Sequence, residues 1–266
     1  MRAVTPEHLE IGTGDAARTI ACLHRPGRAP GLFWLGGYRS EMTGSKATAL
    51  DMLGEQRGLE VTRFDYSGHG QSGGDFLDGT ISRWLEEALA VFALTSGPQV
   101  VIGSSMGGWL ALLLARALRR QPGDRLKALI LIAPAVDMTE ELMLKGFSKK
   151  ELKALRATGR VDQPSEYSDQ PYPITAGLIE DGKRHLLFGK GIDVGAPVTI
   201  LQGGKDVDVP REHALRLVQH LLTDPVTFTL VSDGDHRLSR EQDLRLLEAA
   251  VLRAIDGPPE QLTLGI

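Results

Sequence analysis

Residues 98–120 read PQVVIGSSMGGWLALLLARALRR, and the fold turns on what this stretch does. Val100, Val101 and Ile102 form a β-branched run suited to a buried parallel strand, and Trp109 to Leu118 is apolar and helix-favouring. Between them, Gly103-Ser104-Ser105-Met106-Gly107 fits the G-x-S-x-G pattern of a sharp strand-to-helix turn that pushes a serine hydroxyl clear of the sheet. Glycine is needed there for steric reasons, because a strand and a helix crossing so tightly leave no room for side chains two residues either side of the serine. Gly108 widens that clearance. Ser105 is therefore the candidate nucleophile. A Gly/Ser-rich turn that merely reverses the chain is the simpler alternative, and the strand and helix flanking it argue for the elbow.

Strand and helix patterns alternate on both sides of this stretch. Thr19–His24 reads as a strand at the sheet edge, PGRAPG (26–31) as a turn, and Gly31–Leu35 as a buried strand opening into the flexible loop Gly36-Gly37-Tyr38-Arg39-Ser40. A helix is expected from about Lys46 to Arg57, a strand over Leu59–Phe64 that ends in DYSGHGQSGGD, and an amphipathic helix in ISRWLEEALAVFALT (81–95). Beyond the elbow, Ala128–Ala133, Val198–Gln202 and Val226–Val231 are apolar strands, and helices at Arg211–Leu222 and Arg240–Ile255 cover them. Such alternation predicts an α/β fold, a mostly parallel sheet flanked by helices with its chemistry at the carboxyl ends of the strands.

One interval breaks the alternation. Residues 137–196 lie between two core strands and contain no comparable strand, so they are expected to form a helical cap insertion on a core made of 1–136 and 197–266. The cap opens with helix-favouring TEELMLKGFSKKELKALRATG, passes through proline-bearing VDQPSEYSDQPYP, and closes with a helix around Ile174–Phe188. Leu142, Leu144, Phe147, Leu152 and Leu155 supply the apolar faces that a disordered linker would lack. Phe147, Tyr167, Tyr172 and Phe188 either line a groove for an apolar ligand or pack the cap onto the sheet.

Composition narrows the function classes. The 266 residues suit one large α/β domain with an insertion, and a formal net charge of -4 offers no basic field for nucleic acid. The single Cys22 cannot form an internal disulfide, no cysteine–histidine cluster has zinc-ligand spacing, and no metal or organic cofactor is implied. A reducing cytoplasm is the expected location, because MRAVTPEHLEIG lacks the apolar run of a secretory signal and no stretch is long enough to span a bilayer. Nothing in the sequence speaks to oligomeric state.

A serine hydroxyl is a poor nucleophile at neutral pH unless a base takes its proton and a third group orients that base. Asp206 follows the strand VTILQ in GGKDVDVP, and His236 follows VTFTLV in SDGDHRLS, so both belong at strand carboxyl ends beside Ser105. An ordinary histidine pKa near 6.5 suits proton shuttling, and a carboxylate ionised well below neutrality suits orientation of the imidazolium. Asp208 is a rival acid, set second because a triad acid belongs in the loop immediately after its strand. Among the other histidines, His69 sits in Gly68-His69-Gly70, a run that builds tight turns, and His213 and His220 lie on a helix facing solvent or the core edge. Backbone N–H groups of Met106 and Tyr38, with Gly37 in reserve for the latter, are the candidate oxyanion donors.

The chain order Ser, Asp, His and the G-x-S-x-G element resemble the α/β-hydrolase superfamily. GYRSEMTGSKA, RFDYSGHGQSGGDF, GSSMGGW and GGKDVDVP are narrower signals. They resemble the family of mitochondrial palmitoyl-protein thioesterases that also deglucuronidate acyl-glucuronides, together with their bacterial relatives. The likeness runs from about Gly36 to His236, is loose across Asp137–Ala196, and does not extend to a basic, serine-rich presequence. It implies an α/β-hydrolase fold, a triad of Ser105, Asp206 and His236, and hydrolysis of acyl esters or thioesters, with a small-molecule or acylated substrate as partner. Two alternatives stand beside it: a carbon–carbon hydrolase, with Arg39, Arg156, Lys183 or Arg184 meeting a keto-acid carboxylate, and a hydrolase-shaped ligand sensor without turnover. Haloalkane and epoxide chemistry fits less well, because those relatives carry an aspartate where this chain has Ser105.

Overall fold

The computed structural model describes residues 5–121, 123–164 and 171–257. Its centre is an eight-stranded sheet built from β1 (Glu7–Ile11), β2 (Arg18–Arg25), β3 (Arg28–Leu35), β4 (Leu59–Phe64), β5 (Gln99–Ser104), β6 (Leu126–Ile132), β9 (Val198–Gly203) and β10 (Val226–Val231). In space the order is β1-β2-β4-β3-β5-β6-β9-β10, with β1–β2 and β2–β4 antiparallel and the remaining pairs parallel. Strands buried on both faces need apolar residues at odd and even positions alike, which is why β5 and β6 read as nearly continuous apolar runs.

The pleat sorts those residues into two layers. Leu32, Trp34, Val100, Ile102 and Ile130 face α1 (Ser45–Arg57) and α7 (Glu241–Asp256), whose Leu50, Leu53, Leu247 and Val251 fill that side. Phe33, Leu35, Val101, Leu129 and Leu131 face α2 (Ile81–Phe92), α3 (Met106–Leu118) and α6 (Arg211–His220). Every residue of α3 from Met106 to Ala115 is buried, so this helix is apolar all round where an outer helix would carry one apolar stripe.

Between β6 and β9 the chain leaves the sheet and forms the cap. A π-helical segment (Thr139–Leu144) leads to α4 (Lys149–Thr158), whose Ser148 and Glu151 form a reciprocal capping box. Phe147, Leu155, Val161, Ile174 and Ile179 give the cap its own small apolar core.

Several expectations are corrected here. A strand pair lies inside the cap, β7 (Arg160–Gln163) and β8 (Tyr172–Thr175), in a separate antiparallel two-stranded sheet. The helix expected over Ile174–Phe188 is reduced to α5 (Ala176–Gly182) and a 3-10 turn at Lys183–His185, because β8 claims Tyr172–Thr175 and the Thr175 hydroxyl caps the Leu178 N–H. PGRAPG is a turn only at Pro26-Gly27, since β3 already begins at Arg28. The largely exposed β1, whose polar sequence EHLEI carries no strand pattern, is held by its register against β2. Tyr167 lies outside the described residues.

Packing at the elbow is tight enough to test by stability. A Cβ on Gly107 would lie 2.1 Å from the Leu35 carbonyl oxygen, and one on Gly103 would lie 2.3 Å from the Gly107 carbonyl oxygen. Gly107→Ala should lower the unfolding free energy by about 2–4 kcal/mol. Gly146→Ala, where a Cβ meets nothing within 4 Å, should stay within about 1 kcal/mol of the parent. Urea unfolding of both variants against the parent protein reads the difference.

Candidate active site

Ser105 sits between the end of β5 and the start of α3 with φ 56° and ψ -119°. A non-glycine residue at this backbone angle is strained, and it persists only where its surroundings over-determine it. They do so here. The Ser105 N–H donates to the Ile132 carbonyl at 2.9 Å, and the Ser105 carbonyl accepts from the N–H groups of Gly108 at 2.9 Å and Ala135 at 3.1 Å.

Two loops at the carboxyl ends of β9 and β10 bring the other predicted residues to it. Gly203 and Gly204 let those loops touch, since a Cβ on Gly203 would lie 2.3 Å from the Asp235 carbonyl oxygen and one on Gly204 2.5 Å from that of Ser232. The Lys205 N–H then donates to the Gly234 carbonyl at 2.8 Å. In the resulting geometry His236 Nε2 is 3.1 Å from Ser105 Oγ, and His236 Nδ1 is 2.9 Å from Asp206 Oδ2. The fully buried Asp206 carboxylate also accepts from the N–H groups of Asp208 at 3.0 Å and Val209 at 2.8 Å, and from Gln202 Nε2 at 3.2 Å. Asp208, the rival acid, thus serves Asp206 through its backbone.

Asp206, Asp208 and His236 offer possible metal-ligand atoms within 4.8 Å of one another. Asp206 and His236 spend those atoms on each other and on Ser105, a pattern that fits a hydrogen-bonded relay better than a cation site.

The candidate oxyanion donors come from two directions. Met106 opens α3 at the first helical position, where an N–H has no partner within the helix. The loop after β3 lies directly against the serine, because a Cβ on Gly37 would be 3.3 Å from Ser105 Cβ and 3.9 Å from Ser105 Oγ. Tyr38 follows at once, its phenol pushed above the ordinary tyrosine range by burial and so kept as a neutral donor.

Two residues that support this site carry little signal in the sequence. Lys46 Nζ donates to the Arg237 carbonyl and, at 3.2 Å, to Ser239 Oγ, which ties α1 to the loop bearing His236. Burial, reinforced by the nearby Arg237 charge, pulls the Lys46 ammonium down to about 8. His69, expected as a turn former, does hold a turn, with its N–H on the Tyr66 carbonyl at 2.9 Å. Its ring does more. Nε2 accepts the Arg39 N–H at 3.1 Å, so with Nδ1 3.2 Å from the Ser67 carbonyl the ring is the neutral Nδ1–H tautomer. The flanking glycines announced the turn, but only tertiary contact reveals the bond to Arg39.

The remaining candidates lie elsewhere. His213 and His220 pack on Phe188 at ring distances of 5.2 and 5.0 Å, and Arg216 covers the same ring at 4.2 Å, so Phe188 is occupied with packing away from Ser105. Phe147 and Tyr172 do border the cleft that contains Ser105 and His236, a space of about 900 Å³. Its lining includes the apolar Met138, Leu142, Met143 and Ile174 and the polar Ser45, Lys46 and Ser239. Of the four proposed cationic groups, Arg39 borders this cleft and Arg156, Lys183 and Arg184 lie outside its lining.

Comparison with known proteins agrees with this architecture. The family model Hydrolase_4, described as serine aminopeptidase S33, matches residues 37–171. The palmitoyl-protein thioesterase ABHD10, mitochondrial, of Mus musculus is 34% identical over 234 residues, covering 86% of this chain and 76% of that one. Its Homo sapiens counterpart is likewise 34% identical, with 86% and 74% covered. Among solved structures, a protein of Agrobacterium vitis S4 superposes with a TM-score of 0.92 at 46% identity, covering 96% of this chain and all of that one (100%). Mouse alpha/beta hydrolase domain-containing protein 10 gives a TM-score of 0.83 at 30% identity, with 94% and 98% covered. The chain belongs to the α/β-hydrolase family. It is a hydrolase whose relatives include enzymes named as mitochondrial palmitoyl-protein thioesterases. Among the described residues no helix is long and apolar enough to cross a membrane.

The buried His69 imidazole gives the site a pH signature. Desolvation holds its pKa down to about 4, against an ordinary 6.5. As pH falls from 6.5 towards 4 the unfolded chain gains a proton that the folded chain refuses, so the His69 contribution to stability falls across that window, by about 3 kcal/mol in full. Above 6.5 the contribution is complete and flat. His69→Gln should flatten the slope of unfolding free energy between pH 6.5 and 4, read by urea titrations at several pH values.

Proposed function

We propose that this protein is a serine hydrolase of carboxylic esters and thioesters, working through an acyl-enzyme on Ser105. The observation that carries the proposal is the continuous chain of contacts from Ser105 Oγ through both nitrogens of His236 to a buried, otherwise hydrogen-bonded Asp206.

Ser105 Oγ attacks the acyl carbonyl carbon while His236 Nε2 takes the hydroxyl proton, and Asp206 stabilises the imidazolium through Nδ1–H. The carbonyl electron pair moves onto oxygen, which the N–H groups of Met106 and Tyr38 receive. Collapse of the tetrahedral intermediate breaks the bond to the alcohol or thiol, and His236 returns the proton to that leaving group. Water then repeats the sequence on the acyl-serine, with His236 as base, and releases the carboxylic acid and free Ser105.

The cleft supports an apolar acyl group and a polar leaving group, because the cap contributes Met138, Leu142, Met143, Phe147 and Ile174 to its lining and the core contributes Ser45, Lys46 and Ser239. The relatives named as palmitoyl-protein thioesterases point the same way. Carbon–carbon hydrolysis is disfavoured, since Arg39, the one proposed cation bordering the cleft, donates to the Pro171 carbonyl at 2.8 Å.

The test is kcat/KM for p-nitrophenyl esters from acetyl to palmitoyl. Ser105→Ala should lose about four to six orders of magnitude in kcat, and a folded Ser105→Ala protein with parental turnover defeats the proposal. Asp206→Asn should lose about 10⁴-fold, by analogy with other triads. Asp208→Asn keeps the backbone N–H that Asp206 uses and should lose far less.

A further inference from the structure

The cap and the loop that carries the proposed oxyanion donor are joined by the side chains of two consecutive residues. Tyr38 Oη donates to the Pro173 carbonyl at 2.5 Å, and its ring packs edge-on against Tyr172 at 6.1 Å, besides Phe76 at 4.9 Å. Arg39 Nη1 donates to the Pro171 carbonyl at 2.8 Å, and its guanidinium lies 5.6 Å from the Tyr172 ring and 5.5 Å from that of Phe76. Carbonyls two residues apart in an extended chain point to the same edge, so both bonds grip one edge of the cap hairpin. On the core side, the Arg39 N–H is fixed on the buried His69 ring at 3.1 Å, and Gly37 lies against Ser105. Arg39 itself holds φ at 57°, a conformation that these contacts must maintain.

The same hairpin borders the substrate cleft. Tyr172 and Ile174 line it, flanking the Pro173 whose carbonyl Tyr38 engages, and Ile174 belongs to the apolar core of the cap with Phe147 and Leu155. An acyl chain lying along the cap wall therefore presses on the strand that positions Tyr38.

We propose that Tyr38 and Arg39 are positioning residues that couple the acyl-contacting hairpin to the oxyanion loop, so that acyl-chain length is read in kcat as well as in KM. The inference rests on the serine-hydrolase reading. Short acyl groups leave the hairpin unsupported and the Tyr38 N–H off its best geometry. Longer ones hold both in place, and binding energy from the part of the substrate remote from the carbonyl is realised in the transition state. Deleting the Tyr38 hydroxyl leaves its backbone N–H and its ring intact but severs the coupling.

The experiment measures kcat and KM separately for p-nitrophenyl butyrate, octanoate and decanoate with the parent, Tyr38→Phe, Arg39→Met and Arg39→Lys. In the parent, kcat should rise with chain length. Tyr38→Phe and Arg39→Met should each lower the ratio of decanoate to butyrate kcat by about threefold to tenfold, the usual worth of one hydrogen bond, while the trend of KM with length survives. Arg39→Lys, which keeps a cationic donor, should recover part of the loss. A parent kcat independent of chain length, or parental kcat ratios in both Tyr38→Phe and Arg39→Met, overturns the coupling. Stoichiometric labelling of Ser105 by a fluorophosphonate in every variant separates this outcome from failure of the serine mechanism, which would abolish labelling of the parent as well. If Tyr38→Phe does not fold, the Arg39 pair decides the matter alone.

Discussion

The site depends on one close approach of backbone to backbone. Where α3 leaves β5, the Gly107 Cα faces the carbonyls of Leu35 and Gly36 at a separation that admits no Cβ. That contact sets the start of α3 against the end of β3. It thereby brings the first N–H groups of a buried helix, the loop beginning at Gly36 and the strained Ser105 into one small volume. No side-chain interaction achieves this. The helix must enter the sheet at that distance, and the surrounding apolar layers of α2, α3 and α6 hold it there.

The rest of the site's geometry is assembled by a second close approach, between the loops after β9 and β10. Gly203 and Gly204 perform the same service for these loops that Gly103 and Gly107 perform at the elbow. Asp206 is then buried with its carboxylate satisfied by two backbone N–H groups, Gln202 and the His236 ring. A buried carboxylate held by this many donors is fixed in orientation, which is what an imidazole partner requires. Lys46 closes the far side by holding the carbonyl of Arg237, next to His236.

Above this rigid floor the cap contributes shape and apolarity. It has a core of its own around Phe147, Leu155 and Ile174, and it meets the loop after β3 through Tyr38 and Arg39. Ser82 adds a second tie between the two layers, since its hydroxyl and N–H meet Asp181 of the cap, each at 2.7 Å.

Much of this was legible in the linear chain, because local rules govern it. The β-branched run before Gly103 and the apolar run after Gly107 can adopt few conformations, and the glycines between them mark an elbow for steric reasons alone. The placement of Asp206 and His236 at strand ends was readable because each follows a strand of unmistakable pattern. The polar strand β1, the β7–β8 hairpin and the shortening of the helix at Ala176 were not readable, since short strands owe their existence to the edge they pair with and a four-residue pattern cannot declare its partner. For the same reason the jobs of His69, Lys46 and Tyr38 Oη emerged only in three dimensions. Each is a contact across the chain, as with His69 to Arg39 over 30 residues and Lys46 to Arg237 over 191. Periodicity and steric exclusion act within a few residues and so set the elements and the elbow. Hydrogen bonds between distant loops form only after packing has brought those loops together, and they determine which polar groups serve the serine.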